Sequence, residues 1–344
     1  PEELLRRVCT FDFELILGVR VQTLMKRFFL EASDGHQVAC YSWASSSPKA
    51  AIQIAHGMGE HAERYDWVAR CLNEKGYSVY ASDHRGHSAT TNEHLGYMGP
   101  DGWNRTLADM YELNRHFRSL HPDLEICLLG HSMGALLAQQ YTTRHGRTID
   151  AMVLSGSPGF KDQQFSFIGQ WLLKFEVWRL EPWEQSKLMQ RALFGRANSA
   201  FDEPDSTGYE WLSRDPSSVA KYVTDERCGF VLAAGSLIDM FEGIPQAQSP
   251  WAIAKIPDVL PIYIFSGDDD PLHGERQDLD RMITAYQDRG ISNIEHRFYS
   301  DGRHEMFNEI NKESVMEDLI EWLERRWHPN KKGRNQTIFN RIRK

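Results

Sequence analysis

Long apolar runs are missing from this chain. No stretch of about eighteen consecutive apolar residues occurs, so no membrane-spanning helix is expected. Concentrated positive charge is missing as well. The formal net charge is -9, and the one basic cluster lies in the last residues. That argues against nucleic acid as a partner, because phosphate binding needs a basic face. Cysteine is sparse: Cys9, Cys40, Cys71, Cys127 and Cys228 are scattered, with no C-x-x-C pair and no accompanying histidine pattern. Neither a disulfide framework nor a metal site is expected, and reduced, mostly buried thiols are the reading. The N-terminal stretch has no compact apolar segment with a small-residue cleavage site, so a cytoplasmic setting is expected and the Asn335-Gln336-Thr337 sequon carries no weight. Internal repeats are also absent.

What the chain does have is a regular alternation. Its 344 residues, 41% hydrophobic and 25% charged, are enough to bury a sizeable core. Residues 27–43 read as two strands joined at Asp34-Gly35, a favoured hairpin turn. From there short apolar runs alternate with helical spacing. Strands are expected at KAAIQIA, YSVYASD, EICLLGH and IDAMVLS, and later at LPIYIFSG and ISNIEHRFYS. The intervening segments read as helices, and continuous apolar strands separated by helices imply a mostly parallel, doubly wound sheet of eight strands. The alternation stops between residues 157 and 250, a segment rich in aromatics and proline, and resumes at 251. This middle part reads as a mainly helical insertion over the C-terminal edge of the sheet, where open α/β sheets bind ligands. The expected organisation is an N-terminal extension over 1–25, a core over 26–156 and 251–328, a cap over 157–250 and a basic tail over 329–344.

One serine sits at a strand-to-helix junction between two glycines. Gly130-His131-Ser132-Met133-Gly134 is a G-x-S-x-G motif, and in this setting it means a nucleophile elbow: a tight turn that pushes the serine hydroxyl out of the sheet. Serine chemistry needs a base and a group to orient it, in the chain order serine, acid, histidine. The strand ending in PIYIFSG presents Asp268, Asp269 and Asp270 as acids. His304, just after the last strand, is the candidate base; His296 lies inside that strand and His273 is the rival beside the acid loop. Oxyanion donors are expected at the backbone N–H of Met133, which follows the nucleophile, and of Met58 in the glycine loop HGMGEH.

These residues resemble a family. His56-Gly57-Met58-Gly59-Glu60-His61, Asp83-His84-Arg85-Gly86-His87, the serine motif, Gly267 through Leu272, and Gly302-Arg303-His304-Glu305 recur in the order found in the α/β-hydrolase branch of monoacylglycerol lipases and bacterial lysophospholipases, also described as serine aminopeptidase-like. The resemblance runs from about residue 26 to 328 and includes the cap stretch WLSRDPSSVAKYVTDERCGF. It implies the α/β-hydrolase fold and a Ser132–Asp270–His304 triad, with Asp270 selected over its neighbours by the G-x-x-D-P spacing. It also implies an ester hydrolase of monoacyl lipids that needs no cofactor; a short-chain carboxylesterase, thioesterase or aminopeptidase would use the same triad. The chain departs from the family in one place: Ser88 stands where glycine usually follows the Asp-His-Arg-Gly-His run.

The insertion bears on substrate. Ile168, Trp171, Leu172, Phe175 and Trp178 recur at helical spacing in a segment apolar nearly all round. Trp171, Phe175 and Trp178 are therefore expected to bind an acyl chain, with another face of the helix in peripheral contact with a membrane or micelle. Glu176, Glu181 and Glu184 would be the carboxylates available to an aminopeptidase.

Overall fold

The Asp34-Gly35 hairpin forms as its sequence requires, with Gly35 at φ 80° joining strands β1 (Lys26–Glu31) and β2 (Gln37–Trp43). A computed structural model describes residues 24–90, 94–160 and 166–327. The expected N-terminal extension lies outside the described residues except for Leu24 and Met25, and the tail over 329–344 lies outside them altogether. Six further strands follow: β3 (Ala50–Ala55), β4 (Tyr77–Ser82), β5 (Ile126–His131), β6 (Ala151–Ser155), β7 (Ile262–Gly267) and β8 (Ile294–Tyr299). They form one eight-stranded sheet in the order β1-β2-β4-β3-β5-β6-β7-β8. β1, β2 and β4 pair antiparallel, and every pairing from β4 onward is parallel.

Helices cover both faces. On one side lie α2 (Gly102–Leu120), α3 (Met133–His145) and α8 (Gln277–Gln287), and on the other α1 (Asp66–Glu74) and α9 (Lys312–Trp327). The period-2 alternation of a strand divides the core between these layers. In β5, Ile126 and Leu128 pack with Trp103 and Tyr141, whereas Cys127 and Leu129 pack with Leu72 and Trp322. The central strands are therefore apolar throughout, because both of their faces are dry. β8, at the sheet edge, departs from that pattern, and His296 within it is exposed.

Within the insertion stand α4 (Ser166–Arg179), α5 (Lys187–Phe194), α6 (Pro216–Thr224) and α7 (Ala234–Gln248). α7 returns to the core, where Leu237 and Met240 join the apolar cluster of α2 and α3. Among the described residues no helix is long and apolar enough to cross a membrane.

Candidate active site

β5 ends at His131 and α3 begins at Met133, so Ser132 carries the whole change of direction. Its φ of 54° and ψ of -116° are a conformation that side-chain-bearing residues rarely adopt. Its N–H is held by the Ser155 carbonyl at 3.0 Å. The turn is possible because both flanking glycines are in close contact with backbone. A Cβ on Gly130 would collide with Gly134, and one on Gly134 would collide with the Ala55 carbonyl of β3.

Three loops then meet. Beyond β7, Gly267 lies against Gly302, and the N–H groups of Asp268 and Asp269 donate to Tyr299 and Gly302. That pairing leaves Asp268 and Asp269 exposed and Asp270 buried. The Asp270 carboxylate accepts from Ser266 Oγ at 3.1 Å and from the Leu272 N–H at 2.9 Å. It also accepts from His304 Nδ1 at 2.8 Å. The other ring nitrogen, His304 Nε2, lies 2.9 Å from Ser132 Oγ. The structure thus brings Ser132, His304 and Asp270 into one hydrogen-bonded line. The rival His273 instead uses Nε2 to tie its own loop to the Gly267 carbonyl at 2.8 Å.

Electrostatics follow from this geometry. Burial disfavours an imidazolium at His304, but the Asp270 carboxylate and the hydrogen bond to it outweigh burial and hold His304 above the usual histidine value. Burial likewise acts to raise Asp270, and His304 overrides it, leaving Asp270 below the usual carboxylate value. The His304 ring also lies 5.0 Å from that of Trp211 and 4.8 Å from that of His131.

The glycine loop faces the serine. A Cβ on Gly57 would stand 3.3 Å from that of Ser132, so this position has no room to spare. The Gly57 carbonyl accepts from His56 Nδ1 at 2.8 Å, which orients the peptide unit carrying the Met58 N–H. His56 Nε2 in turn accepts from the His84 N–H at 2.9 Å. His56 is thus held neutral, and burial together with the neighbouring His84 and His87 keeps its pKa well below the ordinary value. The loop supporting His84 contains Ser88 at φ 43°, a left-handed backbone position that favours glycine.

Ser132, Met58 and His304 open onto a cavity of about 290 Å³. Gly57, Glu60, His131 and Glu305 of the core also line it, and the insertion supplies the rest, with Phe194, Tyr209, Trp211, Tyr222, Phe230 and Val231 the main apolar contributors. Here the structure corrects the reading of α4. Trp171, Phe175 and Trp178 do not line this cavity; they are 65%, 39% and 81% exposed and stack along the outer face of their helix. An all-round apolar helix does not reveal which face turns inward, and here the outward face is aromatic. The side chains of Ile168 and Leu172 lie outside the described residues. The true wall residues fall in α5, α6 and their loops; their signal was the aromatic content of the WLSRDPSSVAKYVTDERCGF stretch and its surroundings. Glu176 is engaged by Arg179 and Ser186 rather than facing the cavity.

Among the described residues, His61, Asp225 and Cys228 bring three donor atoms within 4.8 Å of one another. Asp225 there is hydrogen-bonded to His61 at 3.0 Å and paired with Arg227 at 2.9 Å, so the group acts as a clasp between the glycine loop and the insertion.

Comparison with known proteins bears on family and fold. Residues 46–311 match the family model described as serine aminopeptidase, S33. The chain is 28% identical over 289 residues to a monoacylglycerol lipase of Mycolicibacterium smegmatis, covering 81% of this chain and 89% of that one. It is 33% identical over 123 residues to the monoglyceride lipase of Mus musculus, covering 36% and 40% of the two chains. Among solved structures, a lipase in its open form superposes with a TM-score of 0.79 at 23% identity, covering 88% of this chain and 99% of that chain. A thermostable carboxyl esterase from Bacillus coagulans gives a TM-score of 0.76 at 23% identity, covering 87% and 98%. At such identity these two likenesses show the fold alone.

Proposed function

The chain belongs to the serine aminopeptidase S33 family and is a carboxylic ester hydrolase of the α/β-hydrolase fold, and on that premise we propose that it cleaves esters of monoacyl lipids, monoacylglycerols or lysophospholipids, through an acyl-enzyme on Ser132. The observation that carries this reading is the hydrogen-bonded line from Ser132 through His304 to Asp270, opening on a cavity whose walls are largely apolar. The monoacylglycerol lipase of M. smegmatis, matched over most of both chains, supports the substrate class.

In this mechanism Ser132 Oγ attacks the ester carbonyl as its proton passes to His304 Nε2. Asp270 holds the imidazole with Nδ1 protonated and stabilises the cation that forms. The developing oxyanion is received by the N–H groups of Met133, at the start of α3, and Met58, whose peptide is oriented by His56. His304 then protonates the departing alcohol. Water, activated by the same histidine, releases the acyl group and restores the serine.

A second reading, a short- to medium-chain carboxylesterase, is favoured by the cavity's size. About 290 Å³ is at the small end for ligand sites, and a long acyl chain would need further space between the cap helices. Hydrolysis of p-nitrophenyl esters from C2 to C16, beside a monoacylglycerol and lysophosphatidylcholine, separates the two. Turnover of the long monoacyl lipids supports the lipase reading, and turnover restricted to C2–C4 esters supports the alternative. Ser132→Ala should lower kcat by about 10⁶; a variant that keeps its activity would refute the acyl-enzyme.

A further inference from the structure

Glu60 and Glu305, both at the cavity wall, belong to a charged cluster that the mechanism above does not use. Arg64 follows the glycine loop, and its side chain is 13% exposed. Its guanidinium makes a two-pronged pair with Glu305, Nη1 to Oε1 and Nη2 to Oε2, both at 2.7 Å. Nη1 also donates to Glu60 Oε2 at 2.6 Å. Each carboxylate reaches one step further into the site. Glu60 Oε1 accepts the Gly57 N–H at 2.5 Å and the Tyr65 hydroxyl at 2.9 Å. Glu305 is the residue after His304, with its N–H on the Leu212 carbonyl at 2.7 Å and its carboxylate also accepting from Asn308. The ring of Tyr222, a cavity wall, lies 4.8 Å from the Arg64 guanidinium.

Arg64 therefore joins two loops that sit 241 residues apart, one carrying the Met58 donor and the other the base. From this geometry we infer that Arg64 is a positioning residue for ester hydrolysis, setting the spacing of the glycine loop and the His304 loop and cancelling the charge of the two carboxylates those loops carry. The inference rests on the Ser132–His304 reading above. A planar fork suits this task where an ammonium does not: it can satisfy a carboxylate with two parallel bonds and still serve a second acceptor.

The charges around His304 fix the sign of the effect on its titration. The groups facing His304 are Asp270, Ser132, His131 and Trp211, with Glu305 and Glu60 nearby. Both of those glutamates favour the imidazolium, and Arg64 offsets them. Removing Arg64 exposes His304 to their charge, so the acid limb of kcat/KM should move to higher pH. Removing the Glu305 charge should move it to lower pH.

The test is steady-state hydrolysis of p-nitrophenyl butyrate across pH by the wild type, Arg64→Gln, Arg64→Lys and Glu305→Gln, each first checked for folding by circular dichroism. Arg64→Gln is expected to lose about 10²-fold in kcat, the scale for misplaced catalytic groups, with a KM change under about threefold and an acid limb raised by up to about one pH unit. Arg64→Lys should keep the limb where it is and still lose about 10-fold in kcat, since the fork is gone but the charge remains. Glu305→Gln should lower the limb. Unmoved limbs in both the Gln variants, or kcat within threefold of wild type in Arg64→Gln, would overturn the inference. If Arg64→Gln does not fold, Arg64→Lys and Glu305→Gln decide it by the same criteria. The low-field proton resonance of His304 Nδ1–H, followed through its titration in each variant, needs no substrate. It separates the two failures: a wild type without ester turnover refutes the proposed function, while the titration still supports or overturns the positioning role.

Discussion

Gly134 packs against Ala55 so closely that no side chain fits between them. This contact sets α3 on β3 and so fixes where the Ser132 turn emerges from the sheet. Ordinarily Gly→Ala inside a helix is stabilising by about 1 kcal/mol. Here the added Cβ would land on the backbone oxygens of Ala55 and His56, which have no rotamer to escape into. Gly134→Ala is therefore expected to destabilise by more than about 3 kcal/mol. Urea unfolding of the variant beside wild type measures this, and a neutral or stabilised Gly134→Ala would show that the helix can shift away.

Ser88 gives the opposite sign. It holds φ 43° with a side chain that gains nothing from that conformation, in the loop that carries His84 and His87. Ser88→Gly should relieve about 1 kcal/mol of backbone strain and raise Tm by about 1–2 °C. Thermal unfolding checks the gain, and kcat should be unchanged because the position lies outside the reacting groups.

The His304–Asp270 pair predicts two pH dependences. His304 titrates above its ordinary value in the fold, so its stability contribution is complete below about pH 6.5 and is lost as pH rises through the folded pKa. Asp270 titrates below its ordinary value, so its contribution is present above about pH 4 and is lost as pH falls. Activity needs neutral His304, and the acid limb of kcat/KM should accordingly fall above the ordinary histidine value. In Asp270→Asn that limb should drop below it, with kcat reduced by about 10⁴. A pH–rate profile of both proteins tests the pair; an acid limb that does not move would remove Asp270 from this role.

The outer aromatics of α4 and the inner wall should separate cleanly on a soluble substrate. Trp178→Ala removes a side chain that is 81% exposed, so stability should change by less than about 0.5 kcal/mol and p-nitrophenyl butyrate kinetics not at all. Phe230→Ala opens the cavity wall and should raise KM about 10-fold. Equal effects of the two substitutions would mean that α4 rearranges over the cavity in solution.

Local pattern carries a chemical message only when the chemistry is itself local. The serine turn is such a case: strand, small residues and helix are adjacent in sequence, and the conformation they impose is visible in five residues. The alternation of apolar runs likewise determined the sheet and its parallel character, since a strand buried on both faces must be apolar throughout. The acid was different. The family resemblance singles out Asp270 by its G-x-x-D-P spacing, but Asp268, Asp269 and Asp270 are themselves chemically equal until Gly267 meets Gly302 and two N–H groups pair across that contact, which turns only Asp270 toward His304. The helix bearing Trp171, Phe175 and Trp178 is apolar nearly all round, so its sequence determined its apolarity and its packing decided which apolar face looks outward. Arg64 and Glu305 carry no mutual signal in the sequence, because an ion pair between loops depends on distance in space, and only the folded sheet supplies that.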